Sequence, residues 1–222
     1  MTFTKSEKLL EQFCVRAGIS HFRVPEASDR RPDYRFRLAS RDLIVEVKEL
    51  EPSEEEKALI ACDPEEFDPV YAYHWGIPGE RVRKKIANAV PQLKALAGTA
   101  LPTLLVLHDP IRFWPELLDA QAISVAMYGI ETILVSAEPA PEGGATVLAR
   151  WHGGRRKLTE SHNTSLSAVA ILLQADLELR LDVYHNWYAS NPLKPSELRA
   201  IGVNHFRVPA APTDKFSHWV SC

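Results

Sequence analysis

The segment PDYRFRLASRDLIVEVKEL, residues 32–50, contains an aspartate, a glutamate and a lysine whose side chains and spacing would suit a catalytic or metal-binding site. Asp33 stands at its start, and Glu46 and Lys48 stand two positions apart near its end. Side chains two positions apart on a β-strand point to the same face of the sheet. Charged groups on a strand that is covered on both sides need partners, and metal ions are the usual ones. These residue types therefore indicate metal binding by carboxylates beside a lysine.

An antiparallel hairpin that turns at Ser40–Arg41 would bring these residues together. It would have one wholly apolar face, as packing against a core requires, and one charged face. A slip of one residue would destroy the apolar face, so this register is expected. The expected apolar pairs are Tyr34–Val47, Phe36–Val45 and Leu38–Leu43, and the expected charged pairs are Asp33–Lys48 and Arg35–Glu46.

The charged pairs have a simpler explanation as two cross-strand ion pairs on a solvated surface, each worth about 0–1 kcal/mol. Two features favour the metal site. The strand LIVEVKEL is strongly apolar around its charges, which indicates a central strand, and the fixed φ of Pro32 gives Asp33 an extended approach.

The elements that must position the hairpin follow from apolar periodicity. Helical spacing predicts helices over 4–17 and 80–97, and the second either kinks at Pro91 or divides there. Apolar runs predict strands over 19–25, 34–38, 43–50 and 103–109, a third helix ending at Gly129, and four later strands within 132–185. Residues 51–80 are acidic, then rich in proline and aromatics, and are interpreted as an insertion or lid within a single domain, 1–222.

The sequence also contains a short segment that occurs twice. GISHFRVP (18–25) recurs as GVNHFRVP (202–209), but the flanking residues do not extend the match. Two short strands that each end in a proline are the favoured interpretation, and two ligand-facing segments are the alternative.

The hairpin resembles the signature of the PD-(D/E)XK nuclease superfamily, whose members share a restriction-endonuclease-like fold. The matching residues are Pro32 and Asp33, then a strand, a turn and the run Glu46, Val47, Lys48. The resemblance implies a helix, three strands, a helix and a strand (αβββαβ), the order predicted above for the first half of the chain. We therefore expect an α/β protein with a mixed central sheet flanked by helices and extra C-terminal strands.

The resemblance also implies an activity, metal-dependent cleavage of phosphodiester bonds, and a cofactor, Mg²⁺ or Mn²⁺. The implied metal ligands are Asp33, Glu46 and the Val47 backbone carbonyl, and Lys48 would orient or deprotonate the attacking water. DNA is expected as substrate before RNA. The alternative is a catalytically inactive member of the same fold that binds nucleic acid or acts as a scaffold.

The resemblance implies two further site residues. Members often add an acid from the first helix, where Glu7 and Glu11 lie one turn apart. Glu11 is preferred because Leu10 and Cys14 place it closer to the buried stripe, although both acids could lie on a solvated surface. Many members use a polar residue on the helix after the lysine strand, for which Gln92 is the candidate.

Basic residues near the motif could bind phosphates without reading sequence. A solvated helix surface explains those of the second helix about equally well. The candidates are Arg35, Arg37, Arg81, Lys84 and Lys85.

Composition limits the partners. The formal net charge of −3 excludes a uniformly basic coat for nucleic acid, so a polyanion needs a local patch or metal ions. The sequence lacks a signal-peptide pattern and an apolar run of membrane-spanning length, and three widely spaced cysteines predict free thiols, so a cytoplasmic location is expected. A homodimer would suit cutting of both strands, but the sequence reveals no self-complementary surface.

Overall fold

A computed structural model describes residues 3–25, 31–51, 57, 79–98, 100–110, 118–139, 144–175, 178–212 and 218–222. The described helices are α1 (Lys5–Ala17), α2 (Glu80–Ala97) and α3 (Ala120–Tyr128). The strands are β1 (His21–Arg23), β2 (Tyr34–Arg37), β3 (Asp42–Glu49), β4 (Thr103–His108), β5 (Glu131–Pro139), β6 (Ala145–His152), β7 (Ala168–Ala175), β8 (Glu178–His185), β9 (Val203–Arg207) and β10 (Val220–Ser221).

The protein is α/β, with a mixed eight-stranded sheet in the order β1-β2-β3-β4-β7-β8-β9-β10. The helix–strand order predicted for the first half is observed, and so are the later strands and the third helix. Strands β3, β4 and β7 run parallel at the centre, and all six residues of β4 are buried. Strands β5 and β6 form a separate two-stranded sheet. The predicted 51–80 insertion lies almost wholly outside the described residues.

Helices cover the central strands on both faces. Helix α1 packs Leu10 and Phe13 against one face, and α2 packs Ile86 and Leu93 against the other. Helix α1 begins with a capping box between Thr4 and Glu7 and ends at Gly18, which has a positive φ. Helix α2 continues through Pro91 as one helix. No helix in the described part of the chain is long and apolar enough to cross a membrane.

The β2–β3 hairpin has the predicted apolar face, but the predicted register is wrong by two residues. Tyr34 pairs with Val45 and Phe36 with Leu43, and the turn is closed by a hydrogen bond from Leu38 N to Arg41 O. A shift of two residues leaves every side chain on its original face, so the apolar pattern could not distinguish the two registers.

The repeated segments are both short strands, β1 and β9. Each is preceded by a glycine with positive φ, Gly18 (68°) at the end of α1 and Gly202 (79°) in the turn directly before β9. The shared sequence thus includes a glycine whose left-handed backbone conformation turns the chain before the strand.

Candidate active site

Alternation along β3 separates the core residues from the charged residues. Val45 and Val47 face α1, whereas Ile44 lies in the core beneath α2. Glu46 and Lys48 share the face of Ile44. Glu46 is completely buried, while 27% of the Lys48 side chain is exposed. The strand is therefore covered on both sides at Glu46, as its apolar sequence predicted, and opens at Lys48.

Asp33 reaches the site from the start of β2. Its Oδ2 accepts a hydrogen bond from Val47 N at 2.8 Å. The expected cross-strand pairs Asp33–Lys48 and Arg35–Glu46 are wrong because of the register. Arg35 lies opposite Ile44, and its guanidinium forms an ion pair with Asp42 at 3.4 Å. Asp33 therefore joins the site through the β3 backbone rather than through Lys48.

The surroundings of Glu46 disfavour its ionised form. Lys48 Nζ forms an ion pair with Glu46 Oε1, whereas Glu46 Oε2 has no hydrogen-bond donor among the described residues. Burial, and then the charge of Asp33, raise the pKa of Glu46 to about 7, against the opposing effect of Lys48. Burial also raises the pKa of Asp33, while the Val47 N–H and Lys48 oppose the rise. The single charge of Lys48 therefore does not offset the cost of burying two carboxylates at neutral pH.

The structure distinguishes the two candidate acids of α1. Glu7 is buried, accepts hydrogen bonds from Thr4 N (2.7 Å) and Arg23 Nη2 (3.0 Å), and contributes to raising the pKa of Asp33. Glu11 instead accepts a hydrogen bond from the Tyr34 hydroxyl at 3.0 Å. Glu7 therefore interacts electrostatically with Asp33. The T-x-x-E capping signature at 4–7 could have pointed to Glu7.

The Val47 carbonyl and Gln92 border the site. The amides of Ile44 and Leu50 donate toward β4, to Pro102 O and His108 O. Since backbone groups alternate along a strand, both the N–H and the C=O of Val47 face the β2 side, beyond Tyr34, the first residue of that strand. Gln92 Nε2 donates to Arg31 O at 3.3 Å, two residues before Asp33.

The predicted phosphate-binding residues form two groups. Arg35 and Arg37 project from β2 and share Asp42 as ion-pair partner, with 42% and 66% of their side chains exposed. The others lie on the first turns of α2. Arg81 donates to the Glu51 carbonyl, Lys84 is exposed and Lys85 is half-buried.

The donor set fits a hard divalent cation. Asp33 and Glu46 offer carboxylate oxygens, and Oε2 of Glu46 has no hydrogen bond to lose among the described residues. Mg²⁺ is commonly held by one or two carboxylates and keeps several waters. No three His, Cys, Asp or Glu side chains of the described ranges form a group that could hold a metal ion by themselves. The residues therefore fit Mg²⁺ or Mn²⁺ with part of its coordination left to water and substrate.

Comparisons of the chain with protein-family models, curated proteins and solved structures produced no match.

Proposed function

We propose that this protein is a metal-dependent nuclease that hydrolyses phosphodiester bonds, with DNA preferred to RNA as the substrate. Its active site contains Asp33, Glu46 and Lys48. The observation that carries the proposal is Glu46, a fully buried carboxylate beside a second carboxylate, with Lys48 at its Oε1 and no hydrogen-bond donor to its Oε2 among the described residues. Buried charges of this kind are partnered or coordinate metals. The αβββαβ order and the position of these residues at the β2–β3 end support a restriction-endonuclease-like core.

Each residue has a role in this reaction. A bound Mg²⁺ or Mn²⁺ supplies charge stabilisation for the phosphate and acidifies water. Asp33, Glu46 and the Val47 carbonyl would hold the ion, and the charge of Glu7 would strengthen the field at Asp33. Lys48, which is partly exposed beside Glu46, orients the attacking water and offsets phosphate charge.

The surroundings of the site suit a polyanion. Arg35 and Arg37 extend from β2, the strand that Asp33 precedes, and both form an ion pair with the single carboxylate of Asp42. Two guanidinium groups sharing one carboxylate leave positive charge available to phosphates. Arg81, Lys84 and Lys85 add charge from the first turns of α2, close to the end of β3. We propose these five residues as backbone contacts of the substrate.

A second candidate function is binding of nucleic acid without catalysis. It is favoured by one observation, the lack of a three-residue metal cluster in the part of the chain that the structure describes. The two functions differ in whether the chain binds Mn²⁺ and whether bound nucleic acid is cut.

Cleavage of a panel of linear, circular and single-stranded DNA and RNA with Mg²⁺ or Mn²⁺ tests the proposal. Lys48→Ala should lower the rate by about 10²- to 10⁴-fold. Glu46→Gln should abolish cleavage and calorimetric Mn²⁺ binding with little loss of thermal stability, because it removes a fully buried charge whose partner, Lys48, is partly exposed to water. Lys94→Ala, at an exposed lysine of α2, is the matched control.

Cleavage that survives both Lys48→Ala and Glu46→Gln would contradict the site. Binding of nucleic acid without Mn²⁺ binding or cleavage by the unaltered chain would establish the second candidate function instead.

A further inference from the structure

The two copies of HFRVP give their phenylalanines different surroundings. In β9, Phe206 stacks on Tyr184 with ring centroids 5.1 Å apart and an angle of 18° between the planes. In β1, Phe22 occupies the same place in the motif, but 50% of it is exposed. The second copy shows the flat aromatic contact that this phenylalanine makes inside the protein. The first copy leaves about half of its ring exposed to solvent.

The exposed ring lies in a cationic setting. Phe22 stands directly opposite Arg35 in the β1–β2 register, so their side chains share a face. The Arg37 guanidinium lies 5.4 Å from the centroid of the Phe22 ring. An exposed aromatic ring beside two arginines that both reach solvent is a combination by which proteins bind single-stranded nucleic acid, through base stacking and phosphate contact.

The position of Phe22 relative to the proposed site follows from the same register. Phe22 pairs with Arg35, and the pairing continues to Asp33, whose carbonyl accepts a hydrogen bond from Val24 N at 2.9 Å. Asp33 is therefore the diagonal neighbour of Phe22, a relation that places two residues roughly 7–8 Å apart. A base stacked on Phe22 would belong to a nucleotide at or next to the phosphate held at Asp33.

We infer that Phe22 is a stacking platform for an unpaired base, and that the substrate is single-stranded nucleic acid or a strand end with unpaired nucleotides. Bases within a duplex are stacked on each other and do not present a free face to a side chain. Arg35 and Arg37 would contact the flanking phosphates. This inference rests on the proposed function for its reaction, but binding tests it without cleavage.

The test measures Kd by fluorescence anisotropy, with the full chain in EDTA and a labelled oligothymidylate of roughly a dozen nucleotides. Phe22→Ala should weaken binding by about 5- to 150-fold, the range of base–aromatic stacking, whereas Phe22→Tyr should restore it. Val15→Ala is the matched control, since Val15 is a 73% exposed apolar residue on α1. A blunt duplex should bind with a Kd that Phe22→Ala leaves unchanged.

A second probe, the same oligomer with abasic sites, retains the phosphates but lacks the bases. It should bind weakly to the unaltered chain and show no further loss with Phe22→Ala. Equal losses on abasic and intact oligomers, or no loss on either, would overturn the inference even if the chain cleaves nucleic acid. If Phe22→Ala weakens binding only to intact single strands, and the unaltered chain cleaves no nucleic acid, the stacking role of Phe22 would stand and the proposed nuclease activity would be rejected.

Discussion

Glu46 and Glu7 are both buried glutamates, yet their partners differ. Glu7 lies against a guanidinium and a backbone N–H, which satisfy its charge within the protein. Glu46 has the partly exposed Lys48 at its Oε1, and its Oε2 has no hydrogen-bond donor in the described ranges. At the scale of the residue, this difference separates a carboxylate that supports the site from one that is available to a cation.

The first prediction compares the two acids of α1. Glu7→Gln should weaken Mn²⁺ binding and cleavage by about 10- to 100-fold, the effect of losing a supporting residue, because it removes a charge beside Asp33. Glutamine still serves the capping box, so α1 should remain folded. Glu11→Gln, the matched control, should change both quantities little, since Glu11 interacts with the Tyr34 hydroxyl. Calorimetry and initial rates check the outcome, and a reversed order would restore Glu11 as the helix acid.

At the scale of the element, β3 combines three tasks through its period of two. Val45 and Val47 build the core beneath α1, and Glu46 and Lys48 build the site on the other face. Glu49, on the α1 side again, accepts a hydrogen bond from Ser6 N at 3.2 Å and so holds the start of α1 to the strand. The same strand end therefore carries the lysine and fixes the helix that presents Glu7.

The register of this strand is supported from outside the hairpin. Arg41 in the turn donates to both oxygens of Glu197, at 2.9 and 2.8 Å, and Ser40 adds a third contact at 3.2 Å. A double-mutant cycle of Arg41→Ala and Glu197→Ala should yield a coupling energy of about 1–2 kcal/mol, because the pair is bidentate but partly solvated.

Urea denaturation measures this coupling. The matched cycle of Arg35→Ala and Asp42→Ala, on a more exposed pair, should give below about 0.5 kcal/mol. Equal coupling in the two cycles would mean that Glu197 does not anchor the turn.

At the scale of the whole molecule, a histidine pair lies on β8 and β9, toward the other edge of the sheet. His185 Nε2 and His205 Nδ1 are 2.9 Å apart, and His205 Nε2 donates to Leu198 O at 3.1 Å. In this tautomer His205 Nδ1 accepts the hydrogen of His185 Nε2, so a proton on His205 Nδ1 would oppose it. Burial, and then the neighbouring His205, lower the pKa of His185 to about 4. Burial likewise lowers the pKa of His205.

This pair predicts a dependence of stability on pH. Because the pKa of His185 is lower in the folded state, the unfolded chain binds more protons between about pH 6.5 and 4. The stabilisation is therefore complete above pH 6.5 and is lost as the pH falls toward 4, by an amount on the order of 3 kcal/mol.

Free energies of unfolding across this range check the pH prediction. His185→Gln should flatten the profile relative to the unaltered chain, while His162→Gln, at an exposed histidine, should not. Parallel profiles for His185→Gln and the unaltered chain would contradict it.

The sequence by itself determined the helices, the strands and the face to which each residue of the hairpin belongs. Helical and strand periodicities are local properties, and burial on one side enforces them. Asp33, Glu46 and Lys48 could be grouped from the sequence because an even shift in register leaves them on one face and at one end of the strands.

Only the tertiary structure decided the pairing and the partners. A pattern with a period of two cannot distinguish registers that differ by two residues. The observed register gives Arg35 an ion pair with Asp42 instead of the expected pair with Glu46. Glu7 and Glu11 are nearly equivalent along a helix, and only the packing of α1 over the β2–β3 end distinguishes them. The two copies of HFRVP are identical in sequence, and only the neighbouring elements leave Phe22 exposed while Tyr184 stacks on Phe206. Contacts between residues far apart in the chain depend on the whole packing, which no local pattern encodes.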